Sequence, residues 1–268
     1  MFLNEKGLLK VLLVTAVYFV LGCFCLVSNF ILSWLGTFST FLLVLGIVVV
    51  LLCPLIFLFG RYAEGKAIHI NKANKLVRKE LKPAEFLKYY NSLKNNDSLI
   101  INKPSFEILY FVYCANDVLN GSISNDTVVD EMIEAANDKK KNFAQLIKVS
   151  HLYSCGRIEQ ADSLLYEIQK QKLDTRCNLL IDGILKVDRA KVMRDYRIAE
   201  VYLLNALNRS FPKPDNLGKL IYNYGLGEVY EGLNDTEKAK QHFEYCSKFG
   251  GETAVKSVAA EKLKSLTK

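Results

Sequence analysis

The most constraining feature of the sequence is a run of 50 residues, from Val11 to Gly60, that contains no charged side chain. A helix needs about 20 apolar residues to cross the roughly 30 Å of hydrocarbon in a bilayer, so the run is too long for one crossing and long enough for two. Residues 33–39 are small, polar or turn-forming and divide the run. The sequence therefore predicts two transmembrane helices, about Val11–Leu32 and about Phe38–Phe59, joined by a tight turn.

A cleaved signal peptide is the alternative interpretation of the first apolar segment, with Lys6 and Lys10 as its charged start. The apolar run is longer than the core of a signal peptide, and no small-x-small cleavage site is evident before the second helix. An anchor hairpin is therefore the preferred interpretation, and residues 1–60 form the first predicted domain.

The charge distribution predicts how this hairpin is oriented. The net charge is +7, and residues 61–103 alone carry ten basic and four acidic side chains. By the positive-inside rule, both termini and the hydrophilic residues 61–268 are expected in the cytoplasm, with two spans in what we expect to be a bacterial plasma membrane. The basic residues expected at the membrane surface, near anionic headgroups, are Arg61, Lys66, Lys72, Lys75, Arg78, Lys79 and Lys82.

Composition and motifs exclude several classes of function. The basic block lies beside an apolar segment and is not interleaved with aromatic residues, so no nucleic-acid partner is expected. The seven cysteines form no C-x-x-C pair, and His69, His151 and His242 are scattered, so we expect no metal site. No catalytic or nucleotide-binding motif is present, and the sequence predicts neither an enzyme nor a bound cofactor.

Residues after the hairpin are expected to be helical throughout. Residues 61–103 are interpreted as a basic connector that extends the second span, and residues 104–268 as a helical domain. Helix boundaries follow from proline, glycine and apolar spacing. The predicted helices are Pro83–Leu93, a buried helix from Pro104 to Gly121, Asp126–Ala136 with a capping box at Thr127 and Asp130, and a terminal capping helix within Glu252–Lys268.

A polar turn followed by the start of a helix and an alanine occurs three times in the sequence. The three alanines are Ala161, Ala199 and Ala239, each followed four residues later by a large apolar residue. Around the last of them, the segments Leu226-Gly227-x-x-Tyr230 and Ala239-x-x-x-Phe243 resemble the tetratricopeptide repeat. The clearest unit is residues 220–253. Asn223 stands where the family usually has Trp, and the alanines are 38 and 40 residues apart where the family has 34.

This resemblance implies an all-α architecture in which a two-helix membrane hairpin precedes an α-solenoid of helical hairpins. It also implies a groove, lined by the first helix of each repeat, that binds a protein or peptide. The groove residues implied in this way are Tyr153, Asp188, Lys191, Tyr224, Glu228 and Glu231. The predicted function is a membrane-anchored adaptor or scaffold. The alternative is an accessory or immunity-type subunit whose hairpin binds another membrane protein, with the helical array as its regulator. The oligomeric state stays open.

Overall fold

The computed structural model describes residues 5–34, 40–95, 104–121, 125–210 and 213–267, and within these ranges the ordered elements are all helical. The predicted all-α class is therefore confirmed for the described residues. Most of the predicted turn at 33–39 and of the loop after Asn95 lies outside them. The helices are α1 Glu5–Trp34, α2 Thr40–Ala73, α3 Pro83–Asn95, α4 Phe106–Asn120, α5 Asp126–Glu134, α6 Asp138–Ser154, α7 Ile158–Gln169, α8 Thr175–Leu180, α9 Lys186–Val192, α10 Tyr196–Leu207, α11 Asn216–Gly232, α12 Thr236–Phe249 and α13 Ala254–Leu266.

The chain divides into two compact units, Met1–Asn71 and Lys72–Lys268. The predicted connector spans residues 61–103. In the structure, the part of this connector from Lys72 onward belongs to the second unit, because Ala73, Leu76 and Val77 are buried. Burial of apolar side chains is favourable, and it draws this stretch into the larger fold.

The first unit consists of α1 and most of α2, which pack closely at their glycines. A Cβ atom at Gly22 would lie 2.8 Å from the Val50 side chain, and one at Gly46 would lie 2.7 Å from Leu26. A Cβ at Gly60 would lie 3.0 Å from Val11. Small residues let helix backbones approach in this way. The two helices are antiparallel, because residues early in α1 contact residues late in α2 and residues late in α1 contact residues early in α2.

One helix among the described residues, over Val11–Trp34, is long and apolar enough to cross a membrane by length and composition. The apolar part of α2, Leu43–Leu58, is shorter than a usual span. The α2 helix continues past this apolar part to Ala73, as the connector pattern predicted, and a π-helical turn, Asn74–Lys79, follows directly.

The end of this π-helix is held against the C-terminal part of the second unit. Leu81 has a left-handed backbone with φ of 54° and is buried. Its carbonyl accepts a hydrogen bond of 2.9 Å from the backbone N–H of Glu252. The neighbouring Gly251 has φ of 60°, and a Cβ there would lie 2.5 Å from that of Leu81. Only glycine fits so close an approach in this conformation.

Three helical hairpins of the second unit share one turn geometry. They are α6 with α7, α9 with α10 and α11 with α12, and each turn has three residues. Gly156, Arg194 and Asn234 occupy the same place in the turns, with φ of 72°, 58° and 59°. In each, the next residue donates its N–H to the carbonyl five positions earlier, which is the Schellman form of helix end. The predicted recurrence of polar turns is confirmed.

The alanines that follow these turns are completely buried, and small residues face large ones across the hairpins. A Cβ at Gly227 would lie 2.6 Å from the ring of Phe243, and one at Gly225 would lie 3.2 Å from Leu203. A π-helical segment, Ile181–Leu185, lies between α8 and α9 and makes them one continuous rod of 18 residues, close to the 17 of α11. The spacing of the turns is uneven mainly because the loop between α7 and α8 has five residues. Eight residues also separate α10 from α11.

Helices from the beginning and the end of the second unit contact each other. Helix α13 packs on α4, and the π-helix Asn74–Lys79 packs on α11. Helix α4 is buried on most sides, as predicted. One smaller prediction is wrong: Asn125 occupies the N-cap position of α5 without a side-chain capping hydrogen bond, so Thr127 and Asp130 do not form the expected capping box.

Candidate functional site

The groove implied by the repeat resemblance includes one residue that cannot contact a partner. Tyr153 is completely buried, and its hydroxyl donates a 2.5 Å hydrogen bond to Asp162 on α7. Arg189 on α9 binds the same carboxylate at 3.0 Å. Burial, and then the negative charge of Asp162, raise the pKa of Tyr153. Its assignment to a partner-binding surface is wrong. Its hydroxyl is instead held by the carboxylate that joins α6, α7 and α9.

The other five groove residues are partly exposed and engage neighbouring helices in pairs. Asp188 on α9 accepts a 2.5 Å hydrogen bond from Ser150 on α6. Burial raises the pKa of Asp188 to about 6. The hydrogen bond from Ser150 and the charge of Lys191 lower this pKa, and the charge of Asp117 raises it further. A carboxylate in such a site keeps its charge only at some energetic cost.

The remaining groove residues link α9, α11 and α13. The ammonium of Lys191 lies 2.5 Å from a carboxylate oxygen of Glu228 on α11, and Lys262 on α13 lies 2.7 Å from Glu231. Burial, followed by the charge of Glu228, raises the pKa of Tyr224. The structure thus brings these side chains together as a polar seam, defined as Ser150, Asp188, Lys191, Tyr224, Glu228, Glu231 and Lys262. A partner that bound there would have to compete with existing ion pairs.

The predicted membrane-surface residues fall into different environments. The side chain of Arg61 lies outside those described. Lys72 lies 3.7 Å from the centre of the Tyr89 ring. Lys75 forms an ion pair with Glu80, and Lys82 forms one with Glu85. These contacts leave the lysines partly exposed, and their location at a membrane stays a prediction, as it does for Lys66 and Lys79.

Arg78 has a structural role that the sequence analysis missed. Its Nε lies 2.6 Å from the carboxylate of Asp215, and Asp215 also caps the start of α11 by accepting the N–H of Gly218. The side-chain amide of Asn216 donates to the carbonyl of Lys79 at 2.6 Å. Arg78 therefore belongs to the contact between the π-helix and α11, and its location near lipid headgroups stays a prediction.

A cluster around His151 contains residue types found in thiol enzymes. Its Nε2 lies 2.6 Å from Asp126, which Arg157 also binds at 2.7 Å, and 3.9 Å from the sulfur of Cys155. In a catalytic arrangement, one ring nitrogen faces the thiol and the other faces the acid. Here the same nitrogen faces both, and Nδ1 is buried without a partner in the described residues. The geometry favours a structural link between α5, α6 and α7.

A second histidine, His242, packs against Asn223, the residue that stands where the tetratricopeptide family usually has tryptophan. Nδ1 of His242 lies 2.9 Å from the amide oxygen of buried Asn223, and its ring stacks on Tyr230. Burial lowers the pKa of His242 and thereby favours the neutral form of the ring. This pair fills the interior of the α11–α12 hairpin, which explains how Asn223 is accommodated there.

The described residues contain no group of three or more His, Cys, Asp or Glu side chains arranged to hold a metal ion. No family model, curated protein or solved structure matches the chain. For the part of the chain that the structure describes, fold and site together define an all-helical protein with one candidate membrane helix and a second unit that contains helical hairpins.

Proposed function

We propose that this protein is a membrane-anchored adaptor whose helical second unit binds a partner protein at the cytoplasmic face of the membrane. The observation that carries the proposal is the contrast between the two units. Side chains over Val11–Trp34 are mostly exposed although they are apolar. The second unit buries its apolar side chains between hairpins of one repeated geometry. Such contrast is typical of a lipid-embedded anchor joined to a binding module.

The proposal includes a second membrane crossing by α2. What supports it is the antiparallel pairing of Gly60 with Val11 and of Gly46 with Leu26, which puts both helices at the same depth. Residues 40–60 carry no charge, and 21 residues at about 1.5 Å each extend about 31 Å, which matches the hydrocarbon thickness. The basic residues beyond Gly60 then favour termini on the cytoplasmic side.

The proposal also includes the tetratricopeptide-type array. Its support is the shared turn geometry of the three hairpins and the contact between Gly227 and Phe243, which the repeat pattern requires. The proposed role is binding without catalysis. It is supported by the ring nitrogen of His151, which already faces Asp126 and so is not placed to activate Cys155.

The test separates the anchor from the binding module. Full-length protein and a variant with residues 1–71 replaced by an unrelated two-span anchor are expressed in the native host, and bound proteins are quantified by mass spectrometry after mild solubilisation. We expect both forms to capture the same partners. Partners captured only with the native hairpin would overturn the adaptor assignment and favour the alternative, in which the hairpin recognises another membrane protein.

Topology is tested separately. A single cysteine placed at Gly36, in a background without the seven native cysteines, should react with a membrane-impermeant maleimide from outside intact cells. One placed at Ser265 should react only after lysis. Reaction of both from outside, or of neither, would contradict two spans with cytoplasmic termini.

A further inference from the structure

Two buried polar atoms beside α4 have no hydrogen-bond partner among the described residues. They are Nδ1 of His151 on α6 and the side-chain oxygen of Asn125, the residue that directly precedes α5. The two residues are only 1% and 0% exposed, so water does not reach them from the surface. A buried polar atom without a partner costs free energy, and its presence in a folded protein therefore calls for an explanation.

The two atoms belong to one cluster between α4, α5 and α6. The side-chain amide of Asn125 donates a 3.2 Å hydrogen bond to the carbonyl of Tyr113 on α4. The ring of His151 meets the ring of the same Tyr113 edge-on, with 6.2 Å between the ring centres. Asn125 also directly precedes Asp126, whose carboxylate lies 2.6 Å from Nε2 of His151. Asn125 and His151 thus share two neighbours.

The contact with Asp126 fixes which nitrogen of the neutral ring carries the hydrogen. The hydrogen bond from His151 and that from Arg157 hold the pKa of Asp126 below its ordinary value, so Asp126 is a carboxylate and can only accept. Nε2 must therefore donate, which leaves Nδ1 of the neutral ring as an acceptor. The side-chain oxygen of Asn125 is an acceptor as well. Two acceptors cannot satisfy each other, and this accounts for their lack of a partner.

Uptake of one proton changes this balance. A protonated imidazole carries hydrogen on both nitrogens, so Nδ1 of His151 becomes a donor. The side-chain oxygen of Asn125 is the unpartnered acceptor in the same cluster. The charged ring then has an acceptor for each nitrogen, and a hydrogen bond from a charged donor is stronger than one between neutral groups. Histidine is also the side chain that ordinarily changes its charge near neutral pH.

We propose that His151 is a proton-responsive joint between α5 and α6. The neutral ring is held by Asp126 alone. The protonated ring donates from Nε2 to Asp126 and from Nδ1 to the side-chain oxygen of Asn125, and the second bond tightens the contact between the two helices. The inference goes beyond the adaptor function and does not depend on it.

The other titratable groups that face the ring come from α4, α6 and the start of α7. Arg157 lies 2.7 Å from the carboxylate of Asp126, and its positive charge opposes protonation of the ring. The sulfur of Cys155 lies 3.9 Å from Nε2. Burial raises the pKa of Tyr113 well above its ordinary value, so its hydroxyl is uncharged. Asp126 supplies the negative charge that favours the protonated ring.

The experiment follows the ring nitrogens directly. Full-length protein is labelled with ¹⁵N-histidine, reconstituted in liposomes and studied by solid-state NMR between pH 5 and pH 8. Nitrogens with and without hydrogen have distinct chemical shifts, and the chain contains only three histidines. The variants His69→Gln and His242→Gln assign the signal of His151 by elimination. Hydrogen exchange of the α5 backbone amides, corrected for its intrinsic pH dependence, measures the tightness of the joint.

We expect hydrogen on Nε2 at high pH and on both nitrogens at low pH. Asn125→Ala removes the acceptor and should lower the pH midpoint of His151 by about one unit, a tenfold loss of proton affinity. Arg157→Gln should raise the midpoint, because it removes the opposing charge. Asn137→Ala is the matched control: Asn137 is the exposed N-cap residue of α6, also without a side-chain cap bond, and its loss should leave the midpoint unchanged.

The exchange data test the role of the joint. Protonation should slow exchange in α5 about tenfold in the wild type, in step with the midpoint shift, and this effect should vanish in Asn125→Ala.

Four results would overturn the proposal. They are a neutral ring with its hydrogen on Nδ1, a ring that does not titrate, equal midpoints in Asn125→Ala and the wild type, and α5 exchange that does not respond to protonation. Equal midpoints would assign both unpartnered atoms to a bridging water instead. Should Asn125→Ala fail to fold, Arg157→Gln decides, because Arg157 is 38% exposed and its replacement spares the core. An unchanged midpoint in that variant would contradict the electrostatic argument.

Discussion

The carboxylate of Asp188 offers a quantitative test of the packing between α6 and α9. The substitution Asp188→Asn removes a charge from a desolvated site and keeps an oxygen that can accept the hydrogen bond of Ser150. Because burial raises the pKa of Asp188 to about 6, the charged form is disfavoured in the folded protein. We therefore expect the variant to be more stable than the wild type at neutral pH.

The magnitude follows from proton linkage. The pKa of Asp188 rises from 3.8 in the unfolded chain to about 6 in the folded protein. The contribution of Asp188 to the free energy of unfolding is fully present below pH 3.8 and is lost as the pH rises through 6. Compared with its value at very low pH, the free energy of unfolding falls by about 1 kcal/mol at pH 4.5 and by about 3 kcal/mol at pH 7.5. The advantage of Asp188→Asn should therefore grow by about 2 kcal/mol between these values.

The assay is guanidinium unfolding of detergent-solubilised protein at pH 4.5 and 7.5, followed by the helical circular dichroism signal. Ser150→Ala is the matched variant, because the Ser150 hydroxyl lowers the pKa of Asp188. Its loss should make the decline of stability with pH steeper, while Asp188→Asn should make it shallower.

Two results would refute the reasoning. One is equal stability of Asp188→Asn and wild type at pH 7.5, and the other is a stability difference that does not change between the two pH values. Either would mean that the site is hydrated, or that Lys191 compensates the charge fully.

Further predictions concern the turns and contacts of the hairpins. Arg194→Gly should raise the free energy of unfolding by about 1 kcal/mol in denaturant titration, because the left-handed backbone strains a residue with a Cβ. Asn234→Gly should raise it by less, since asparagine tolerates this conformation. Equal stabilisation by the two substitutions would contradict the explanation. Gly227→Ala should destabilise by about 1–3 kcal/mol because its methyl group would overlap the ring of Phe243, and an unchanged unfolding midpoint would show that the ring can move. Asp215→Ala should cost about 1–2 kcal/mol, measured in the same way, through loss of the α11 cap, and a loss below 0.5 kcal/mol would contradict a structural role for it.

Features set by local sequence were predictable. The 50-residue uncharged run predicted two long helices, and the recurring turns predicted the three hairpins and their buried alanines. Signals of this kind depend on spacing along the chain, such as an alanine four residues before a large apolar residue. They need no knowledge of which helices meet.

Features set by long-range contacts were not predictable. The pairing of Arg78 with Asp215 joins residues 137 positions apart, and the charge pattern alone assigned Arg78 to the membrane surface. Tyr153 was assigned to a groove because it lies on the right helix, but its side chain points to Asp162 in the interior. The π-helix at Ile181–Leu185 shifts the helical face by a fraction of a turn, and no pattern in the sequence predicted it.

The contact between α13 and α4 has a consequence for the order in which the chain can fold during synthesis. The ribosome releases α4 well before α13, and at about 5–20 residues per second the interval is about 7–30 seconds. During this time the apolar side chains of α4 that α13 will cover face solvent. Chains that end before Ala254 should accumulate as protease-sensitive species.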